Sequence, residues 1–293
     1  MKSVAQTQLS KNKSVRENAH SGSLYLRLKS SLRRIEIDSE TYYVAEGDTL
    51  LDEDQLAIYA MQREKADAAR VAGGDASFAG LGSEKLGLMK HALIAITQGG
   101  KIVRWAPGQV LSYRVVQKSF PSKPQYDEVV AAMSEATSAW EATCGVEFEH
   151  RSDLDANDGV RPDGALFAVR HIDANGAFIA SAFFPNEPSD RRRVLIDPSY
   201  FGSGFDSVGV LRHEMGHVLG FRHEHIHSSA PPACEGEDDF DVKYLTQYDP
   251  SSVMHYFCGG VGSKELKITP VDREGAQQVY GPPLRSMSFV TAD

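Results

Sequence analysis

The run Leu211-Arg212-His213-Glu214-Met215-Gly216-His217-Val218-Leu219-Gly220-Phe221-Arg222-His223-Glu224 concentrates the side chains of this sequence that could do chemistry. His213 and His217 are four positions apart, so on a helix they stand one turn above each other on one face. Two imidazoles placed in that way can converge on one zinc ion at Zn–N distances of about 2.0–2.1 Å. Glu214 projects to the side of the pair, where it reaches a metal-bound water rather than the metal. Gly220 can adopt φ > 0 without a Cβ clash, so the chain can leave the helix sharply. That turn brings His223 back as a third ligand. Three protein ligands leave a fourth position open, the mark of a catalytic rather than a structural zinc site. The plainer alternative is a helix with buried, hydrogen-bonded histidines, and the joint spacing of ligands, acid and glycine weighs against it.

These residues need elements to hold them. A helix over Ser207–Gly220 carries the first two histidines. Upstream, Val129, Val130, Met133, Ala136 and Trp140 recur at helical spacing within Tyr126–Thr143. Ile102–Val116, interrupted by Pro107 and Gly108, reads as strand, as do Val146–His150, Ala165–His171, Ala177–Phe184 and Arg193–Asp197. A last helix over Asp272–Tyr280 ends at Gly281-Pro282-Pro283. A long helix, a run of strands and then helices, without strict alternation, implies an α+β fold.

The first part of the chain is different in kind. Residues 1–20 are polar, basic and without periodicity, which predicts disorder. Residues 52–70 predict a helix whose first turn is acidic. Residues 72–84 are rich in Gly, Ala and Ser and read as a linker. A boundary within 72–100 divides an N-terminal segment, 1–90, from a catalytic domain, 91–293. Residues 1–34 carry eight Lys/Arg against Glu17 alone, and residues 35–60 carry eight acids and no base, a pattern that usually marks solvated faces.

Composition narrows the function. A formal net charge of −9 argues against nucleic acid or an anionic membrane as partner, and no apolar run approaches the ~18 residues that span a bilayer. Cys144, Cys234 and Cys258 are too few for a disulfide-rich scaffold. Either Cys234 and Cys258 pair and Cys144 stays free, or all three are reduced thiols. The N-terminus lacks the apolar core of a secretory signal.

HExxHxxGxxH is the zinc signature of the metzincin metalloendopeptidases, and the chain resembles that clan over residues 100–281. Ser252-Val253-Met254-His255-Tyr256 is similar to the clan's methionine turn. Gly220, Phe221, His223 and Glu224 match the extended pattern of the astacin branch, and Tyr256 matches the tyrosine that follows its methionine by two. With only three cysteines the chain lacks that branch's two-disulfide framework, which makes it a divergent, microbial astacin-like member. The resemblance implies a twisted, mostly parallel five-stranded sheet with the zinc helix above it and a smaller C-terminal subdomain. It implies a secreted endopeptidase holding one catalytic Zn²⁺ and acting on peptide or protein substrates.

The roles follow from the resemblance. His213, His217 and His223 hold zinc, and Glu214 takes the proton of the zinc-bound water and passes it to the leaving amine. The Tyr256 hydroxyl donates to the developing oxyanion. Met254 forms an apolar floor beneath the histidines, and Glu224 stands behind the site, pairing with a new N-terminus or holding water. His225 and His227 are expected in a solvated loop, and His255 is expected to pack. Ala177–Phe183 matches the sheet edge that lines the clan's cleft, where an extended peptide can add as a strand. Ala45-Glu46-Gly47-Asp48 is similar to the latency motif of astacin precursors, which makes Asp48 a fourth zinc ligand in the latent form and the N-terminal segment an intramolecular inhibitor. No cysteine precedes Cys144, so a cysteine switch is excluded. The rival readings are a catalytically silent zinc-stabilised binding module and a zinc amidase or esterase.

Overall fold

The computed structural model describes residues 22–72, 93–159, 162–227, 229–234 and 241–284. The head expected to be disordered at 1–20 lies outside these residues, as does all but the first residue of the expected linker. The chain divides into two compact units, Met1–Leu88 and Met89–Asp293.

In the first unit, helix α1 (Ser23–Ser31) is followed by β1 (Arg33–Ile37), β2 (Glu40–Ala45), β3 (Thr49–Leu51) and helix α2 (Glu53–Ala72). The strands form an antiparallel sheet in the order β1-β2-β3. Leu24 and Tyr25 of α1, Tyr43 of β2, and Leu56, Ala57 and Ala60 of α2 make its small core. Asp52 starts α2 through a reciprocal cap: its carboxylate accepts from Gln55 N at 2.7 Å, and the Gln55 side chain accepts from Asp52 N at 2.9 Å. Only α2 is expected from the sequence; helix α1 and the three strands are additional.

The second unit opens with β4 (Ile94–Gln98) and β5 (Lys101–Ile102), then β6 (Val110–Val115), helix α3 (Lys123–Glu141), β7 (Glu147–His150), β8 (Phe167–His171), β9 (Ala180–Ser181) and β10 (Arg193–Ile196). The zinc-signature helix, α4 (Ser207–Val218), follows, then β11 (Phe221–Arg222), β12 (Val242–Tyr244) and α5 (Pro270–Tyr280). Five strands form one sheet in the order β7-β6-β8-β10-β9. All its pairings are parallel except that of edge strand β9 with β10. The fold is α+β with a mostly parallel five-stranded sheet. A smaller antiparallel sheet is built around β4, which pairs with β5, β11 and β12.

Two expected strands are modified. Ile102–Val116 splits into β5 and β6, because Pro107 lacks an N–H and Gly108 turns the chain at φ 74°. Ala177–Phe184 contracts to β9, with turns on both sides.

Helix α3 buries Val129, Met133, Ala136 and Trp140 in the main core, which also takes Leu111, Tyr113 and Val115 from alternate positions of β6. Both tryptophans of the chain anchor α4: Trp140 Nε1–H donates to Arg212 O at 2.8 Å and Trp105 Nε1–H to Val218 O at 2.7 Å. The Tyr280 hydroxyl donates to Leu219 O at 2.7 Å. The carbonyls of Val218 and Leu219, at the C-terminal end of the helix, have no partner within it, so Trp105 and Tyr280 satisfy groups that burial would otherwise make costly, while Trp140 adds a second bond to a mid-helix carbonyl.

Candidate metal centre

Helix α4 begins at Asp206, whose carboxylate caps Gly209 N at 2.6 Å. His213 and His217 stand one turn apart on its buried face, ring centroids 4.9 Å apart. Gly220 ends the helix at φ 94°, and a Cβ there would lie 2.9 Å from Val103 O, so both the backbone conformation and the close approach require glycine. The chain then pairs through β11 with β4, and His223 swings back toward the helix.

The three rings meet edge to edge. His223 Nε2 lies 3.0 Å from His217 Nε2 and 3.2 Å from His213 Nε2. On the far side of two rings, Nδ1–H donates to a main-chain carbonyl: His213 to Val253 O at 2.8 Å, His217 to Phe221 O at 2.7 Å. A carbonyl can only accept, so Nδ1 carries the proton and Nε2 presents a bare lone pair. Lone pairs aimed at one point repel one another unless a cation stands among them. Nitrogens around a tetrahedral zinc are about 3.3 Å apart for Zn–N near 2.05 Å, so the arrangement fits that ion. The ligand atoms lie within 4.8 Å of one another. The carbonyl partners also fix ring orientation, as outer partners of metal ligands do.

Glu214 follows His213 on α4 and is buried. Met254 lies beneath the helix, where a Cβ on Gly216 would fall 2.3 Å from its Sδ and 3.3 Å from Trp140 Cζ2. Gly216 is therefore the residue that lets the methionine turn close on the helix between the two histidine positions. The turn is fastened by Asp272, at the start of α5. Its carboxylate accepts from Ser252 Oγ at 2.5 Å, Val253 N at 2.9 Å and Thr269 N at 2.9 Å. Because Val253 O accepts the hydrogen bond from His213 Nδ1–H and Val253 N–H donates to Asp272, Asp272 is linked to the first histidine through one residue. Asp272 and Gly216 are residues that sequence reasoning missed. Thr269-Pro270-Val271-Asp272 reads as a capping box, but nothing in it points to residues 252 and 253.

Tyr256 is half-buried, with its ring centroid 4.2 Å from that of His223. Glu224 is fully buried; its Oε1 accepts from Asp249 N at 3.0 Å, and burial pushes its carboxyl up to about 9. Its N–H donates to Met254 O at 2.8 Å, joining the third-histidine segment to the methionine turn.

His225 and His227 depart from the solvated loop expected for them: both are buried. His225 stacks on Tyr256, and His227 accepts from Ser229 N through Nδ1 at 2.9 Å and stacks on Tyr248. The reason is the 3₁₀ turn Glu224–Ile226, which folds these residues back against the Tyr244–Tyr256 segment. His255 packs as expected: Nδ1–H donates to Tyr256 O at 2.6 Å, and Nε2 accepts from the Tyr248 hydroxyl at 2.7 Å. Cys234 and Cys258 form a disulfide and Cys144 is free and buried, which decides between that pairing and the three reduced thiols left open by the sequence. Asp48, in the first unit, lies on the β2–β3 turn after Glu46 (φ 50°) and Gly47 (φ 81°).

Residues 104–233 match the matrixin family, peptidase M10. Matrix metalloproteinase-16 of Rattus norvegicus and of Homo sapiens are each 28% identical over 120 residues, 38% of this chain. The chain spans 16% of the length of these curated relatives. Among solved structures, myroilysin is similar with a TM-score of 0.45 and 16% identity, covering 64% of this chain and 98% of that one. High choriolytic enzyme 1, a hatching-enzyme zinc protease of Oryzias latipes (medaka fish), gives a TM-score of 0.43 and 16% identity over 64% of this chain and 99% of its own.

Proposed function

We propose, from the premise that residues 104–233 form a metzincin-type metalloprotease domain, that this chain is a zinc-dependent endopeptidase made as a latent precursor. The observation that carries the reading is the convergence of three histidine Nε2 atoms while two of the opposite nitrogens are committed to carbonyls. His213, His217 and His223 hold the ion. Zinc supplies a Lewis acid that polarises the scissile carbonyl and lowers the pKa of water toward ~7.

The rest is done by the chain's own residues. Glu214, held on α4 beside His213, accepts the proton of the attacking water and delivers it to the leaving amine. The Tyr256 hydroxyl donates to the oxygen on which charge develops. Edge strand β9 offers an antiparallel main-chain ladder to an extended substrate, which orients the peptide without regard to its side chains. Met254, closed against Gly216, supplies a dry floor.

Latency belongs to the same reading. Asp48 stands on a tight turn with a glycine before it, a shape suited to presenting a carboxylate, and carboxylate is a competent zinc ligand. The segment 1–90 is thus the inhibitor and 91–293 the catalytic part. Glu224 Oε2 has no hydrogen-bond partner among the described residues, and the ammonium of a new N-terminus would supply one.

The test is to incubate the protein with a peptide library and a matched ester panel, with and without a zinc chelator, and to sequence the products and the protein's own N-terminus. Chelator-sensitive peptide cleavage is expected. Cleavage that survives the chelator, or confined to esters, overturns the reading. Asp48→Ala is expected to make the intact chain active before processing; an unchanged intact chain overturns the latency part alone.

A further inference from the structure

Resting on the assignment of zinc to the three histidines, we propose that Asp272 and Ser252 are positioning residues for His213, joined to it by a hydrogen-bond relay that strengthens its hold on the ion. The Ser252 hydroxyl donates to Asp272 Oδ1 at 2.5 Å and accepts from Met254 N at 3.1 Å. Met254 N–H and Val253 C=O belong to one peptide unit. That carbonyl accepts from His213 Nδ1–H at 2.8 Å, so the carboxylate and the imidazole stand at the two ends of one directional chain. Each bond polarises the next in the same sense. Negative charge felt at Nδ1–H makes Nε2 a stronger donor to a metal, as a carboxylate behind a ligand histidine does.

Fastening the methionine turn would not by itself need a charge. Asp272 Oδ2 takes both main-chain bonds, from Val253 N and Thr269 N, each at 2.9 Å. Asparagine could accept both through its amide oxygen and turn its amide nitrogen to Ser252 Oγ. The turn and the helix start would keep their bonds, but the serine proton would no longer point to an anion and the relay would lose its direction. Burial raises the Asp272 pKa, and the three donors aimed at the carboxylate favour its ionised form. Its place is fixed from outside the metal centre. The Thr269 capping box holds it at the start of α5, and Gly275 lies so close to Leu93 that a Cβ there would fall 2.8 Å from the leucine Cβ. Ser252, Val253, Met254 and Asp272 are all wholly buried, so bulk water does not screen the chain. His217 supplies the comparison, because its Nδ1–H goes to Phe221 O, in a separate segment, at 2.7 Å.

The test uses the zinc-loaded full chain and its Ser252→Ala, Asp272→Asn, Ser252→Ala/Asp272→Asn and Thr269→Ala variants. Chelator competition reads zinc affinity, and proton–nitrogen NMR of histidine-labelled protein reads the Nδ1–H signals of His213 and His217. Loss of an outer partner of a metal ligand weakens metal binding by roughly 10–100-fold, and a loss of about tenfold is expected for Asp272→Asn and for Ser252→Ala. The His213 signal should move upfield in both variants while that of His217 stays in place. The double variant should lose no more than Asp272→Asn alone. Thr269→Ala removes the hydroxyl that caps Asp272 N at 3.1 Å without touching the relay, so it should lose stability in urea and keep parental zinc affinity. If Asp272→Asn does not fold, Ser252→Ala and Thr269→Ala carry the same comparison. Parental zinc affinity in Ser252→Ala or in folded Asp272→Asn would overturn the proposal and leave the zinc site as assigned. So would losses that multiply in the double variant, equal shifts at both histidines, or a zinc loss in Thr269→Ala as large as in Ser252→Ala. A parent chain that holds no zinc would instead overturn that assignment, and the proposal with it.

Discussion

The metal centre is built from two halves held by different means. One half rides on α4, where His213, Glu214 and His217 are spaced by helix geometry and the helix is gripped through its carbonyls by Trp105, Trp140 and Tyr280. The other half, His223–Ile226 and Ser252–Tyr256, has almost no regular structure. It is fastened by single long-range bonds: Glu224 N to Met254 O, Asp272 to Ser252 and Val253, and Cys234 to Cys258. The difference teaches that the chemistry and its positioning can be perturbed separately. The helix half carries the base and two ligands in one rigid piece. The loop half completes the coordination and presents the tyrosine.

The largest expected effect falls on the helix half. Glu214→Ala should lower kcat/KM by roughly 10²–10⁴, the range for removal of a general base. Zinc content should be retained, because His213 and His217 keep their carbonyl partners and His223 its ring contacts. Assaying activity and bound zinc on one preparation settles the matter: activity within tenfold of the parent would remove Glu214 from the mechanism.

Next comes the staple of the loop half. The disulfide closes a loop of 24 residues, and cross-links of that span contribute about 3 kcal/mol. Replacing Cys234 and Cys258 with serine should cost about that much in urea denaturation. Native-state hydrogen exchange should show protection lost over 250–262 and kept over α4. Equal loss in both segments would mean that the two halves do not open separately.

Gly216 joins the halves, and its replacement has a smaller effect because two contributions oppose. Alanine within a helix is favoured over glycine by about 1 kcal/mol. Forcing a methyl against Met254 and Trp140 costs about 1–3 kcal/mol. A net loss of up to about 2 kcal/mol is expected for Gly216→Ala, with weaker zinc retention as the methionine turn is pushed away. A stabilised variant would show that the turn does not bear on the helix.

The same division explains what could be read in the sequence. Helix α4 is legible because its ligands obey a local period, and α3 because Val129, Met133, Ala136 and Trp140 do. The five-stranded sheet is legible in kind, though β9 is shortened to two residues by the turns around it. Strands β1 to β3 are hidden because β2 is buried continuously from Tyr42 to Ala45 and shows no alternation. In the loop half, residue types alone suggest bystanders. His225 and His227 look solvated because nothing nearby in sequence covers them, while the rings that do, Tyr244, Tyr248 and Tyr256, lie 17 or more positions away. Asp272 is read as a helix cap, since its second task depends on residues 19 and 20 positions earlier.

The smallest effect concerns how dry the frame under the helix half is. Cys144 follows α3, is wholly buried, and burial pushes its thiol up to about 12 from an ordinary value of 9.0. Above pH 9 the unfolded chain gives up this proton and the folded chain keeps it. The folded state therefore binds more protons, and stability falls as pH rises. The contribution is fully present below pH 9 and is lost toward pH 12. Between pH 9 and pH 10 the loss from this one group is about 1 kcal/mol. Cys144→Ala lacks the group, so its stability should decline less over that interval by about the same amount, whatever constant offset the missing sulfur introduces. Urea midpoints of both proteins at the two pH values give the comparison directly. Equal declines would mean that water reaches the thiol in the folded state. The frame would then be open at the end of α3, and the contrast between a rigid, dry half and a tethered one would have to be drawn further up, at α4 itself.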